Sequence, residues 1–181
     1  SRALESRLEQ LGPVKDAVVE KRFPGLVSIR ITEYATVAYE IDAQNNRIVA
    51  ILANGTTAEV NQSIVLDKPF LTGWENKGDL KARLCRVLAE IPAYFLADIS
   101  EIKPFPSEAY PDKIKMYTRS HFEVITTISY LAEKLTYLNA IVDTQEPGII
   151  TMLEADTYTP FHPPEPEDEA KSALENKKTT Q

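Results

Sequence analysis

Residues 14–41, VKDAVVEKRFPGLVSIRITEYATVAYEI, constrain the fold more than any other stretch. Val14 to Arg22 is rich in β-formers, and Phe23-Pro24-Gly25 breaks the run. Beyond the break, Val27, Ile29 and Ile31 alternate with Leu26, Ser28, Arg30 and Thr32. That period of two puts the apolar set on one face of a strand. No turn signal follows at Glu33-Tyr34, so the strand is expected to run on through Val37 and Tyr39 to Ile41. A strand that long can belong to one small unit at its start and to another at its end.

The flanks supply helices and further strands. Ala3, Leu4, Leu8 and Leu11 have helical spacing, stopped by Gly12-Pro13. After a turn at Asn45-Asn46 comes a strand from Arg47 to Ala53. Asn54-Gly55 is a strong hairpin signal, with Thr56 to Val60 as the return strand. The segment from Lys68 through Pro69, Phe70, Leu71 and Thr72 to Gly73 reads as irregular and extended. Leu80, Leu84, Val87, Leu88 and Ile91 mark an amphipathic helix ended by Pro92. Residues 94–103 read as strand, and 104–111 as a proline-rich loop. X-Pro bonds in loops can populate both isomers, so Phe105-Pro106 and Tyr110-Pro111 are expected to exchange slowly.

A hairpin is predicted around Arg119-Ser120-His121. A second core helix follows over residues 129–143, with Leu131, Ala132, Leu135, Leu138, Ile141 and Val142 on one side. Gly148 opens the last strand, residues 149–154. Tyr158 to Phe161 ends the ordered pattern, and residues 162–181 are expected to be disordered for want of Val, Ile, Phe, Tyr and Trp side chains. The fold class is α+β.

The chemistry is sparse. The formal net charge of −7 argues against non-specific nucleic-acid binding. The single Cys85 excludes an internal disulfide and a cysteine-based zinc site, and it sits where a buried, inert thiol is expected. No nucleophile-elbow, zincin, Walker or dinucleotide motif occurs. His121 falls in a predicted turn and His162 in the tail. Lys113, Lys115 and Arg119 with Tyr117 read as a solvated sheet face rather than a polyanion patch. Glu154 and Asp156 read as surface acids, not a glycosidase pair. Asn54-Gly55-Thr56 and Asn61-Gln62-Ser63 match glycosylation acceptors, the first already explained by its turn. No apolar run reaches the roughly 18 residues needed to span a bilayer. No catalytic, cofactor or metal site is expected.

Several motifs together resemble the FtsQ/DivIB family of bacterial division proteins, in its Gram-positive DivIB-like branch. They are Gly12-Pro13-Val14-Lys15 after a helix; Val18-Val19-Glu20-Lys21-Arg22-Phe23-Pro24; Leu26, Ile29, Ile31, Glu33 and Val37-Ala38; and Ala53-Asn54-Gly55. Lys68-Pro69-Phe70-Leu71-Thr72-Gly73 resembles a family segment that carries leucine where Lys68 stands. Ile114-Lys115-Met116-Tyr117, Phe122-Glu123-Val124 and Pro147-Gly148-Ile149-Ile150 through Tyr158 resemble the late strands of that branch. The resemblance covers roughly residues 1–161.

It implies residues 1–36 as the C-terminal part of a POTRA domain (a helix plus two strands). Residues 37–161 become a bent mixed β-sheet domain with two packing helices, and 162–181 a disordered tail. Because the chain starts at Ser1, an upstream transmembrane helix and the start of the POTRA unit are expected outside it. The implied function is non-enzymatic. It is the extracytoplasmic part of a single-pass plasma-membrane protein at the septum, binding FtsL-like and DivIC/FtsB-like coiled-coil partners. In the family the partner adds a strand near the last strand. On that reading Ile149, Ile150, Thr151, Met152, Leu153 and Glu154 form the docking edge, with Tyr158 and Phe161 as aromatic anchors. The rival readings are a POTRA-type secretion or assembly module and a cell-wall glycan-binding domain.

Overall fold

The computed structural model describes residues 2–60 and 65–162. Helix α1 (Arg2–Glu9) lies against β1 (Val14–Arg22), which pairs antiparallel with β2 (Leu26–Glu33) in a two-stranded sheet. Val14, Ala17 and Val19 of β1 are buried, and the Glu5 carboxylate of α1 accepts the Val19 N–H at 2.9 Å. Every residue of β2 is exposed.

The expected single strand from Leu26 to Ile41 is two strands. The Tyr34 N–H bonds Pro13 O and so closes the small unit. Ala35 O accepts the Ala53 N–H and opens the large one. The backbone changes partners between those residues, and β3 (Thr36–Asp42) belongs to the second sheet.

That sheet has nine strands, adding β4 (Arg47–Leu52), β5 (Thr57–Glu59), β6 (Phe70–Leu71), β7 (Ile99–Pro104), β8 (Lys113–Thr118), β9 (Glu123–Thr127), β10 (Gly148–Met152) and β11 (Asp156–Pro160). Their order is β11-β10-β9-β8-β7-β6-β3-β4-β5. β6 pairs parallel with β3 on one side and β7 on the other, so two residues join the halves of the sheet. β9 and β10 are also parallel, which makes the sheet mixed.

Helices α2 (Gly78–Glu90) and α4 (Ile128–Thr144) cover one face. Leu84, Cys85 and Leu88 pack with Leu131, Leu135 and Leu138 over Ile102, Ile114, Met116, Val124, Ile150 and Met152. The Thr127 side chain caps α4 by accepting the Tyr130 N–H at 3.1 Å. Burial pushes the Cys85 thiol up to about 11, as an inert core thiol requires.

Residues 94–103 are not one strand. Pro92 fixes the backbone for a short helix, α3 (Ala93–Leu96), and only then does β7 begin. Arg119 is exposed, as expected, but lies in the turn beyond β8 rather than on the sheet face. Its guanidinium donates to the Ala97, Ile99 and Leu66 carbonyls and ties three segments together. Trp74 is buried, with its indole N–H on Ile102 O at 3.0 Å. Phe105-Pro106 and Tyr110-Pro111 are trans, and Phe23-Pro24 is cis. Asn61-Gln62-Ser63 and the predicted disordered tail beyond His162 lie outside the described residues.

Candidate partner-docking edge

The strand expected to be the free edge is interior. β10 pairs with β9 through Ile149↔Glu123, Ile150↔Val124 and Thr151↔Ile125, and with β11 along its whole length. The chain doubles back through Leu153, Glu154 and Ala155, and the outermost strand at this end of the sheet is β11, as β5 is at the other. The signal was present: Asp156-Thr157-Tyr158-Thr159 alternates β-formers after a tight turn. The stretch is only five residues long and ends in proline, so it passed for the close of the ordered pattern.

The proline falls where an edge tolerates it. Phe161 N–H bonds Pro147 O at 3.2 Å, in register with the Gly148↔Pro160 pairing. Antiparallel pairs alternate between hydrogen-bonded and non-bonded. Thr157 and Thr159 therefore spend their peptide groups on β10. Asp156, Tyr158 and Pro160 turn theirs outward. Pro160 loses only an N–H that no ladder bond needed. The outward row offers the N–H groups of Asp156 and Tyr158 and the carbonyls of Asp156, Tyr158 and Pro160.

Three contacts hold this edge. Lys134 of α4 grips Asp156 with 2.8 and 2.9 Å bonds to its two carboxylate oxygens, and that pairing raises the lysine pKa. The Tyr158 hydroxyl donates to Glu146 O at 2.7 Å. Gly148 lets β11 approach closely: a Cβ there would lie 2.4 Å from Thr159 O and 2.8 Å from the Tyr158 ring. On β10, Thr126 Oγ1 donates to Met152 O at 2.8 Å.

The expected docking residues separate accordingly. Ile150 and Met152 are fully buried in the core. Thr151 and Leu153 are half-buried, while Ile149 and Glu154 are exposed. Ile149 and Thr151 share the helix-free face of the sheet with their partners Thr159 and Thr157. Tyr158 lies half-buried on the core side opposite Ile150, and Phe161 is exposed at the end of the edge. Lys134, Gly148, Asp156, Thr157 and Thr159 were not foreseen. Gly148 shows in the sequence as a glycine opening a strand and Asp156, Thr157 and Thr159 as part of the short alternating stretch, whereas nothing in the sequence singles out Lys134.

Among the described residues no group of three or more His, Cys, Asp or Glu side chains is placed to hold a metal, and no helix is long and apolar enough to cross a membrane. His121 sits in a turn with φ of 72°, and His162 is exposed.

No protein-family model matches the sequence. Curated relatives do. Cell division protein DivIB of Paenibacillus polymyxa is 50% identical over 161 residues, covering 88% of this chain and 63% of the relative. DivIB of Geobacillus kaustophilus is 33% identical over 170 residues, covering 91% and 64%. The chain thus spans a little under two thirds of the length of these relatives. Among solved structures, the major extracytoplasmic domain of the trans isomer of DivIB from Geobacillus stearothermophilus matches with a TM-score of 0.52 and 35% identity. That match covers 61% of this chain and 92% of the other. With an α+β fold matching that domain and DivIB relatives across most of its length, the chain belongs to the FtsQ/DivIB family of bacterial cell division proteins.

Proposed function

We propose that the chain is the extracytoplasmic part of a divisome scaffold. It binds FtsL-like and DivIC/FtsB-like coiled-coil membrane partners at the septum of a bacterial plasma membrane, and it is not an enzyme. On this reading the α1-β1-β2 unit is the end of a POTRA domain, the nine-stranded sheet is the β domain, and a single transmembrane helix lies outside the sequence given.

The observation that carries the proposal is the outward row of peptide groups on β11. A strand laid beside it gains main-chain hydrogen bonds from two donors and three acceptors, and side-chain pockets add selectivity. The edge is short, and its charge at Asp156 and its proline at Pro160 both sit at its ends, so residues 157–159 between them carry no charge and no proline to blunt it. The docking edge thus moves one strand outward from residues 149–154. Ile149, Thr151 and Phe161 remain in reach of a partner on the helix-free face and at the edge's end.

The test is an amide NMR titration with the soluble outer segment of a DivIC-type partner. Shifts concentrated in residues 156–161 are expected. Tyr158→Pro removes an outward donor without touching a ladder bond, so it should weaken partner binding at least 10-fold while the amide spectrum of β7 to β9 persists. Unchanged affinity in that variant overturns strand addition at β11.

A further inference from the structure

The turn between β1 and β2 is the most solvent-exposed apolar feature among the described residues. Phe23 is 99% exposed at its tip, with Leu26 at 59% and Val27 at 51% just behind. None of the three is needed for the buried part of the small sheet, which rests on Val14, Ala17 and Val19. The charge around them is one-sided. From Lys21 to Thr32 the chain carries Lys21, Arg22 and Arg30 and no acid, in a protein of net charge −7. The nearest carboxylate before the tip, Glu20, lies 3.5 Å from Arg22 in an exposed pair. The chain turns back between Glu9 and Val14, and Glu5 meets Val19, so helix α1 runs back along β1 and Arg2 lies on the tip side of Glu5.

The tip also points away from the rest of the molecule. The opposite end of the small unit is the joint, where Asn54 and Thr56 side chains donate to Gly12 O at 3.0 and 3.3 Å. Eight residues of β2 separate the two ends, about 25 Å at strand rise.

We propose that this hairpin tip is a membrane-surface contact. Phe23 inserts at the headgroup–acyl boundary of an anionic bilayer, Leu26 and Val27 follow to its edge, and Lys21 and Arg22 pair with lipid phosphates. An exposed aromatic flanked by cations is the composition of an interfacial anchor, and the local charge is complementary to anionic lipid. The contact is weak alone, on the order of 10³ M⁻¹ and so about a tenth of a single myristoyl chain. It therefore orients a domain already held near the membrane rather than recruiting it. The inference rests on the extracytoplasmic placement proposed above. Its test needs no division partner, so its failure and the failure of strand addition are separate results.

The experiment is partitioning of the full chain onto phosphatidylglycerol vesicles and onto phosphatidylcholine vesicles, read by co-sedimentation at millimolar lipid. A Phe23→Trp variant adds an optical readout, because the native tryptophan, Trp74, is buried. The expected result is binding to the anionic vesicles with a blue shift in the emission of the introduced indole. Lys21→Glu with Arg22→Glu should lower partitioning at least ~25-fold, at about 5-fold per cation, and Phe23→Ser about 10-fold. An unchanged Val19 amide resonance shows that the small sheet stays folded in each variant. Equal binding to neutral and anionic vesicles, a Phe23→Ser variant that binds like the parent, or no emission shift overturns the proposal. So does a hairpin that ignores vesicles but is protected by a division protein.

Discussion

β2 carries Val27, Ile29 and Ile31 with about half of each side chain in water; β8 carries Ile114 and Met116 with almost none. Both strands alternate with period two, and both are entered from a turn. The difference is what lies over them. Ile114 and Met116 belong to the cluster beneath α2 and α4, whereas α1 packs mainly on β1, and no described residue buries the apolar side chains of β2. Periodicity says that one face of a strand is apolar. It does not say that the face is covered. A two-stranded sheet alone is marginal in water, so the small unit depends on α1 and on its joint to Asn54 and Thr56, while the nine-stranded sheet carries the stability.

The sharpest way to break this contrast is a pair of truncations. Leu131→Ala opens a cavity under α4, where the side chain is fully buried, and should cost about 2–5 kcal/mol. Ile29→Ala removes a half-exposed side chain and should cost less than about 1 kcal/mol. Denaturant midpoints at equal m-value measure both. Comparable losses would mean that the face of β2 is covered in solution.

Within the large sheet, the edge differs from the centre in the same way. Gly148→Ala puts a methyl group into Thr159 O and the Tyr158 ring. β11 must then move, at about 1–3 kcal/mol. Partner binding should fall at least 10-fold, and the Tyr158 hydroxyl should lose Glu146. Because the clash is local, the β7–β8 amides should keep their hydrogen-exchange protection. Intact binding in this variant would place docking elsewhere than β11.

Cys85 reads the centre of the sheet directly. Its thiol stays protonated in the fold up to about 11, whereas an unfolded thiol ionises near about 8.5. The folded state holds the proton more tightly, so this stabilising contribution is complete below about pH 8.5. It is lost as the pH rises toward about 11. Across that window the parent should lose stability more steeply than Cys85→Ala, by at most about 1.4 kcal/mol per pH unit. Parallel profiles would show an accessible thiol. Below the window, thiol reagents should modify Cys85 only when the large sheet opens.

The same contrast explains what could be read in advance. α2 and α4 were legible because their apolar spacing extends over three turns or more and both stripes are buried. The Asn54-Gly55 hairpin was legible because its turn chemistry is local. β11 and β6 were not. Five and two residues carry too little pattern, and β6 is a strand only because β3 and β7 lie on either side of it. The break at Tyr34 and Ala35 was hidden because both residues keep extended geometry and only their partners change. The position of β10 inside the sheet was hidden for the same reason: which strand lies outermost depends on pairing between distant segments.

The smallest predicted effect tests the attachment of α1. The Glu5 carboxylate is held below the ordinary range chiefly by the N–H of Val19. A depressed carboxylate stabilises the fold above its unfolded value, near about 4.3, and that contribution disappears as the pH falls through the lower folded value. The Val19 amide proton should therefore follow the titration of Glu5, with a midpoint below about 4.3, and Glu5→Gln should abolish the transition. Acidification through that point should loosen α1 from β1 while Cys85 stays closed to thiol reagents, since nothing in the core beneath α2 and α4 depends on this bond. A Val19 midpoint at the ordinary glutamate value would remove the clamp. If Cys85 instead opened at the same pH, the two sheets would unfold as one cooperative unit, and the joint at Gly12 would be stronger than its two exposed hydrogen bonds suggest.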